Sequence, residues 1–333
     1  MNGISNAVGG TTKLREVDSV EIVSLMDNSV DFLSTIEKEE IKHVRKWVTE
    51  RMGAKWVAEH FLSPIAEHGF SMLIRVFSSG KTHCVLYDTG SSPEGVIANA
   101  SRMGLDLSEI ESIVLSHGHY DHSGGLLATL KAIDKENLPI IVHEDMFKTR
   151  GTAKPDGTVR TLPEFPAEDR VEPAKYIRTK QPHTIADNTI LVTGEIPRKT
   201  TFEQGLPQHK VFVDGKWQPD PLIWDDRALV FNVKQKGLVA LSGCAHAGII
   251  NTTRYAQQLT GVANIYALMG GFHLAGKDCE TRIKPTVEQL KQLAPTILAP
   301  SHCTGWRGIC TLAKEMPKAF AWNSVGNLYS FQT

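Results

Sequence analysis

Leu115-Ser116-His117-Gly118-His119-Tyr120-Asp121-His122-Ser123-Gly124-Gly125-Leu126 is the stretch on which the reading of this chain turns. It follows a short apolar run, 110–115, that reads as a buried strand, and precedes residues 126–134, whose spacing is helical. In extended backbone His117 and His119 point to the same side. Asp121 and His122 then fall in the turn that leads into the helix. Four side chains of metal-ligand type converge within six residues. Neutral imidazole is a good ligand for zinc and other transition metals, and carboxylate suits a harder cation or a second metal. Gly118 and Gly124-Gly125 relieve crowding where backbone approaches such a site. A histidine-rich surface turn is the plain alternative, but it explains neither the buried strand before the motif nor the glycines around it.

Moving outward, residues 19–26 alternate as a strand does and stop at Asp27-Asn28. Residues 35–62 carry apolar side chains near helical spacing through Ile41, Val44, Trp47, Val48 and Trp56, until Pro64 breaks the pattern. Strands are expected at 71–77 and 83–87, across the turn 78–81, with Asp88-Thr89-Gly90 closing the second. A helix is expected at 93–103 and a strand at 139–142. Between about 148 and 228, prolines and charges are frequent and periodicity is weak, which reads as an irregular insertion with one clear strand, 190–193. Long irregular segments of this kind are often lids or binding loops. Beyond it, a hairpin of 228–233 and 238–242 ends in Gly243-Cys244-Ala245-His246. Strand 264–269 runs into Gly270-Gly271-Phe272-His273, and strand 296–299 into Pro300-Ser301-His302, with helices between them and near 307–315. Strand-then-helix order in both halves predicts an α/β fold with helices on the outer faces of its sheets. Residues 1–333 are read as a single domain.

Composition narrows the classes. The chain has 333 residues, 41% hydrophobic and 22% charged, with a formal net charge of -1. A nucleic-acid binder shows a basic excess or stripe, and neither is present. No stretch reaches the roughly 18 apolar residues that span a membrane, and the N-terminus has no secretory pattern. Five scattered cysteines with no CxxC pair read as a reduced, cytoplasmic protein.

His-x-His-x-Asp-His after an apolar strand, followed by Ser-Gly-Gly-Leu, resembles the signature of the metallo-β-lactamase superfamily. That resemblance implies an αβ/βα sandwich of two mixed β-sheets with outer helices and a one- or two-metal site between the sheets. Leu86-Tyr87-Asp88-Thr89-Gly90 resembles the family's early Asp-Thr-Gly element, in which Asp88 would stand behind a ligand and orient it. Ala299-Pro300-Ser301-His302 resembles its late strand-end histidine. With Glu67–Ser71, Gly243–Thr252, Gly270–Leu274 and Ser301-His302-Cys303, these segments form an ordered series over about residues 27–305. The series is similar to the subgroup named after 7,8-dihydropterin-6-ylmethyl-4-(β-D-ribofuranosyl)aminobenzene 5′-phosphate synthase, an activity of tetrahydromethanopterin biosynthesis.

The resemblance implies that His117, His119 and His246 hold one divalent metal and Asp121, His122 and His302 a second, with zinc foremost and manganese or iron open to the same donors. It implies a hydrolase that uses metal-activated water on an ester, lactone or phosphoester, or alternatively a transferase like the subgroup's synthase. Asp121 would orient the water, and His273 is read as a catalytic residue or a further ligand. His68 and Arg307 are read as contacts to a small, anionic substrate. The chain also departs from the superfamily: no Gly-Asp supplies the usual metal-bridging aspartate in the second half. Cys244 is read as a ligand or as a buried structural thiol. Glu195, at the place of another family motif, is a minor ligand candidate. Asp225-Asp226 reads as a solvated turn, and His143 and His209 as structural or exposed.

Overall fold

The structure, a computed structural model, describes residues 12–333; the N-terminal segment read above for a secretory pattern lies largely outside them. Two sheets face each other. One has eight strands, in the order Lys175–Arg178, Pro139–Val142, Ser112–Val114, Lys81–Tyr87, Ser71–Ser78, Ser19–Met26, Leu328–Gln332 and Ile41–Lys42. The other has seven, with the path His183–Ile185, Ile190–Val192, Ala228–Val233, Gly237–Ser242, Ile265–Gly271, Ile297–Ser301, and Glu16–Val17 beside Ala228–Val233.

The period of two along each strand makes the layers. Val85 and Tyr87, Leu229 and Phe231, Val239 and Leu241, and Ala267 and Met269 all point into the core between the sheets. Their neighbours face outward. Leu73, Leu86, Ile113 and Ile140 pack under the helices Val44–Met52, Gly95–Arg102 and Leu126–Ile133. Val230, Ala240, Leu268 and Leu298 pack under Ile249–Thr260, Ile283–Leu293 and Gly305–Glu315. Both sheets are apolar on both faces, so helices must cover each outer face, and the expected α/β sandwich follows.

Two expectations are corrected. Residues 35–62 do not form one helix: Ile41–Lys42 is a strand, and the helices Val44–Met52 and Ala54–His60 are separated at Gly53, whose φ is 86°. That backbone suits glycine and ends the helical run. Nor is the segment at about 148–228 irregular. Lys175–Arg178 extends the first sheet, while His183–Ile185 and Ile190–Val192 extend the second. Lys216–Pro219, His209–Val213, Arg150–Ala153 and Val159–Thr161 make a four-stranded sheet of their own. No helix among the described residues is long and apolar enough to cross a membrane.

Lys81–Tyr87, Ser112–Val114 and Pro139–Val142 run parallel, as do Gly237–Ser242, Ile265–Gly271 and Ile297–Ser301. Ligands gather at the carboxyl ends of parallel strands. Asp88, His117, Cys244, His246, His273 and His302 all follow such ends.

Candidate metal centre

His117 follows the buried strand Ser112–Val114, and His119 precedes the short helix Tyr120–Ser123, which carries Asp121 and His122. Beyond them the chain must pass close under the Asp88 loop. A Cβ on Gly124 would come within 2.1 Å of Ser91 O, and one on Gly125 within 2.2 Å of Thr89 O, so only glycine fits at either position. His246 and His302 arrive from the second sheet. Asp88, Ala245, His273 and His302 all take positive φ, from 44° to 60°. Non-glycine residues adopt this backbone rarely, and its clustering at these strand ends marks a site the surrounding fold holds under strain.

Hydrogen-bond partners assign the histidine tautomers. Ser116 Oγ donates to Asp88 Oδ2 at 2.7 Å and accepts from His117 Nδ1 at 2.9 Å, leaving the lone pair of His117 on Nε2. His122 Nδ1 donates to Asp88 Oδ2 at 2.7 Å, which turns its Nε2 inward. His209 Nδ1 donates to the Asp220 carbonyl at 3.0 Å, so His209 Nε2 accepts from His119 Nε2, also at 3.0 Å. The lone pair of His119 is then on Nδ1. His302 Nδ1 donates to Asn28 Oδ1 at 3.0 Å, and its buried Nε2 has no hydrogen-bond partner.

The inward nitrogens converge. His117 Nε2 lies 3.0 Å from His119 Nδ1 and 3.1 Å from His246 Nε2. His302 Nε2 lies 3.3 Å from Asp121 Oδ2, and His122 Nε2 lies 3.9 Å from the same oxygen. Facing lone pairs and carboxylate oxygens repel each other, and a cation among them turns that repulsion into attraction. The donors are imidazole and carboxylate, which suit a divalent transition metal. His117, His119 and His246 are one such donor set, and His68, Asp121 and His302 another.

Protonation agrees with this in most positions. Burial, reinforced by neighbouring imidazoles, holds His117 and His246 well below the usual histidine range and takes His119 to about 3. Burial alone would raise Asp121, but His122 and His302 hold it far below the usual carboxylate range. His122 is the exception: burial lowers it, yet Asp88 and Asp121 prevail and raise it to about 9. Any metal there must displace that proton.

The metallo-beta-lactamase superfamily pattern matches residues 65–198. A Methanocaldococcus jannaschii protein named 7,8-dihydropterin-6-methyl-4-(beta-D-ribofuranosyl)-aminobenzene-5'-phosphate synthase is 30% identical over 277 residues, which cover 80% of this chain and 90% of that protein. The chain belongs to the metallo-β-lactamase superfamily. It is thereby a member of a group of enzymes, and membership implies divalent metal binding. A second M. jannaschii relative, uncharacterised, is also 30% identical, over 79% of this chain and 93% of its own length. The crystal structure of Tm1679, named a metal-dependent hydrolase of the β-lactamase superfamily, superposes with a TM-score of 0.69 at 22% identity. It covers 94% of this chain and 99% of Tm1679, and supports the fold alone.

The superfamily fold brings most of the sequence-selected residues together. His273 lies beside His246, with ring centroids 4.3 Å apart and the rings tilted by 45°. His68 stacks on His302 and reaches Asp121 Oδ2 at 3.4 Å. Arg307 does not join the cluster; it is exposed, lies over the Trp306 ring and approaches Glu280 at 3.6 Å. Glu195 pairs with His143 instead of the cluster.

Asp225 and Asp226 are not a solvated turn; both are buried. Asp225 accepts from Gly118 N at 2.8 Å and from both guanidinium nitrogens of Arg150. Asp226 accepts from Ala247 N at 2.9 Å. The pair therefore clamps the His117–His119 loop and the His246 loop from one turn. His209 is buried too, against His119. Asp27, unremarked in the sequence, accepts from His302 N at 2.9 Å. Each inward histidine loop has a carboxylate behind it, the arrangement that fixes ligand orientation in metal sites.

Proposed function

We propose that this enzyme is a hydrolase that cleaves an ester, lactone or phosphoester bond in a small, anionic substrate with the help of one or two divalent metal ions, zinc foremost. One observation carries the reading: the buried lone pairs of His117 Nε2 and His119 Nδ1 face each other at 3.0 Å while the opposite ring nitrogens of both are tied down. His117, His119 and His246 would hold one cation, and Asp121, His122 and His302 the second. Bound there, such cations lower the pKa of water towards neutrality and polarise a carbonyl or phosphoryl oxygen.

The chain's own groups do the rest. Asp121 stays ionised, so its oxygens accept from the attacking water and aim it. His68 Nδ1 accepts from Asn28 Nδ2 at 3.3 Å, which places the His68 proton on Nε2, on the Asp121 side. With 60% of its side chain exposed, His68 is the polar group of this cluster that an incoming substrate meets. His273, beside His246, is the candidate donor of the proton that the leaving group needs.

A second reading, a transferase that joins a dihydropterin to an aminobenzene ribotide phosphate, is favoured by the 30% identity to the synthase-named relative. Its leaving group would be pyrophosphate, displaced by the aryl nucleophile. One preparation separates the two. Zinc- or manganese-loaded enzyme is offered ester, lactone and phosphodiester substrates, and separately dihydropterin pyrophosphate with the aminobenzene ribotide phosphate. Hydrolysis that disappears in His117→Ala supports the hydrolase. Condensed product without hydrolysis replaces it with the transferase.

A further inference from the structure

We propose that Cys244 is a metal ligand shared between the two cation positions, a thiolate bridge where the superfamily's aspartate is missing. The inference rests on the two-metal reading above.

Cys244 is buried and follows the strand Gly237–Ser242, two residues before His246. Its Sγ lies 3.2 Å from His122 Nε2. The sulfur falls within 4.8 Å of ligand atoms of His117 and His122 together, of His246 and His273 together, and of His302 and Cys303 together. Among the described residues no other side chain takes part in so many such groups. It reaches His117 and His246 of the first donor set and His302 of the second, with His122 beside it. The buried Nε2 of His302 makes no hydrogen bond of good geometry among the described residues, although Asp121 Oδ2 lies 3.3 Å away, so the second position also turns a ring nitrogen inward.

Metal-ligand lengths allow this. Zinc–sulfur bonds are about 2.3 Å and zinc–nitrogen bonds about 2.0–2.1 Å, so two ligands of one tetrahedral ion stand roughly 3.3–3.8 Å apart. The 3.2 Å from sulfur to His122 is shorter than that range, so the two side chains would move apart by a few tenths of an ångström to share an ion. Paired metals in hydrolytic sites sit about 3.5–4 Å apart, a span that one sulfur bridges.

Thiolate binding releases one proton: Cys–SH and M²⁺ give Cys–S–M⁺ and H⁺, which leaves to solvent. A sulfur ligand selects thiophilic ions such as zinc, cobalt(II) or iron(II) over magnesium or calcium.

Cys303 is the competing thiol. Its sulfur packs against Gly271 and donates to the Cys244 carbonyl at 3.4 Å. It groups with Cys244 and His302 and also contacts His273, but it joins no donor group with His117 or His246 of the first set.

Cobalt(II) titration of the full chain decides between them. The wild type is expected to take up two equivalents, show thiolate-to-cobalt charge-transfer absorption, and give a weakened cobalt EPR signal because the bridged ions couple. Cys303→Ala should keep all three. Cys244→Ser, similar in size and checked for folding by circular dichroism, should lose the charge-transfer band and bind the second equivalent at least about tenfold more weakly. A band that persists in Cys244→Ser, or that vanishes in Cys303→Ala, overturns the bridge. So does uptake of two ions by the wild type with no such band, which leaves the metal reading standing. No cobalt uptake at all removes that reading and the bridge with it.

Discussion

At the scale of single residues, the centre depends on which nitrogen of each histidine is free. His119 shows the logic most clearly. Its Nδ1 faces His117 because His209 accepts the proton on its Nε2, and His209 can accept because its own Nδ1 donates to the Asp220 carbonyl. Removing such an outer partner typically costs metal affinity about 10–100-fold. His209→Ala should therefore weaken zinc binding by that factor in competition with a chelating dye. His209→Gln, whose side-chain oxygen can accept the same proton, should recover much of the loss. Equal affinity in wild type and His209→Ala would refute the tautomer relay.

At the scale of elements, the site is a meeting of loops, and the small four-stranded sheet helps to hold them. Arg150 opens one strand of that sheet and pairs with Asp225 inside the protein, while Asp225 also accepts from Gly118 N. His209 opens another strand of the same sheet. The inserted segment thus contributes support behind the first donor set rather than a loose lid. Asp225→Ala would leave the Arg150 guanidinium buried beside only Asp220, at 3.4 Å. Losing one partner of a buried pair costs about 3–5 kcal/mol, so urea unfolding should show destabilisation of that order. A change under about 1 kcal/mol would mean that Asp220 compensates fully. Part of this sheet was legible in the sequence. His209–Val213 and Lys216–Pro219 flank Asp214-Gly215, a hairpin signal, and both turn residues take positive φ as a type I′ turn requires. Frequent prolines and charges masked it in a reading based on composition.

At the scale of the whole molecule, the two sheets meet over an apolar core, and their strand ends bring together residues as distant as Asn28 and His302. Metal binding should therefore stabilise the fold, since a ligand that binds only the folded state adds about 2.7 kcal/mol at a hundredfold excess over its dissociation constant. A strong chelator should lower the unfolding temperature measured by calorimetry, and added zinc should restore it. No shift on chelation would mean that the lone-pair cluster does not bind metal in the folded state.

The sequence by itself determined the helix-covered sheets and the first half of the centre, because both are local; the two-sheet sandwich followed from the family resemblance. Period-two strands alternate with helices along the chain, and His117, His119, Asp121 and His122 share one strand-to-helix turn. Glycine beside His246, and strand ends before His273 and His302, made those histidines visible as well. Only the tertiary structure decided what stands behind and between them. Asp225 meets Gly118, His209 meets His119, Asp27 meets His302 and Cys244 meets His122 across 90 to 275 positions of chain. Such pairings depend on strand order and register, which no local spacing encodes. Asp225-Asp226 therefore read as a solvated turn, although the fold buries both residues and uses them to clamp the loops of the centre.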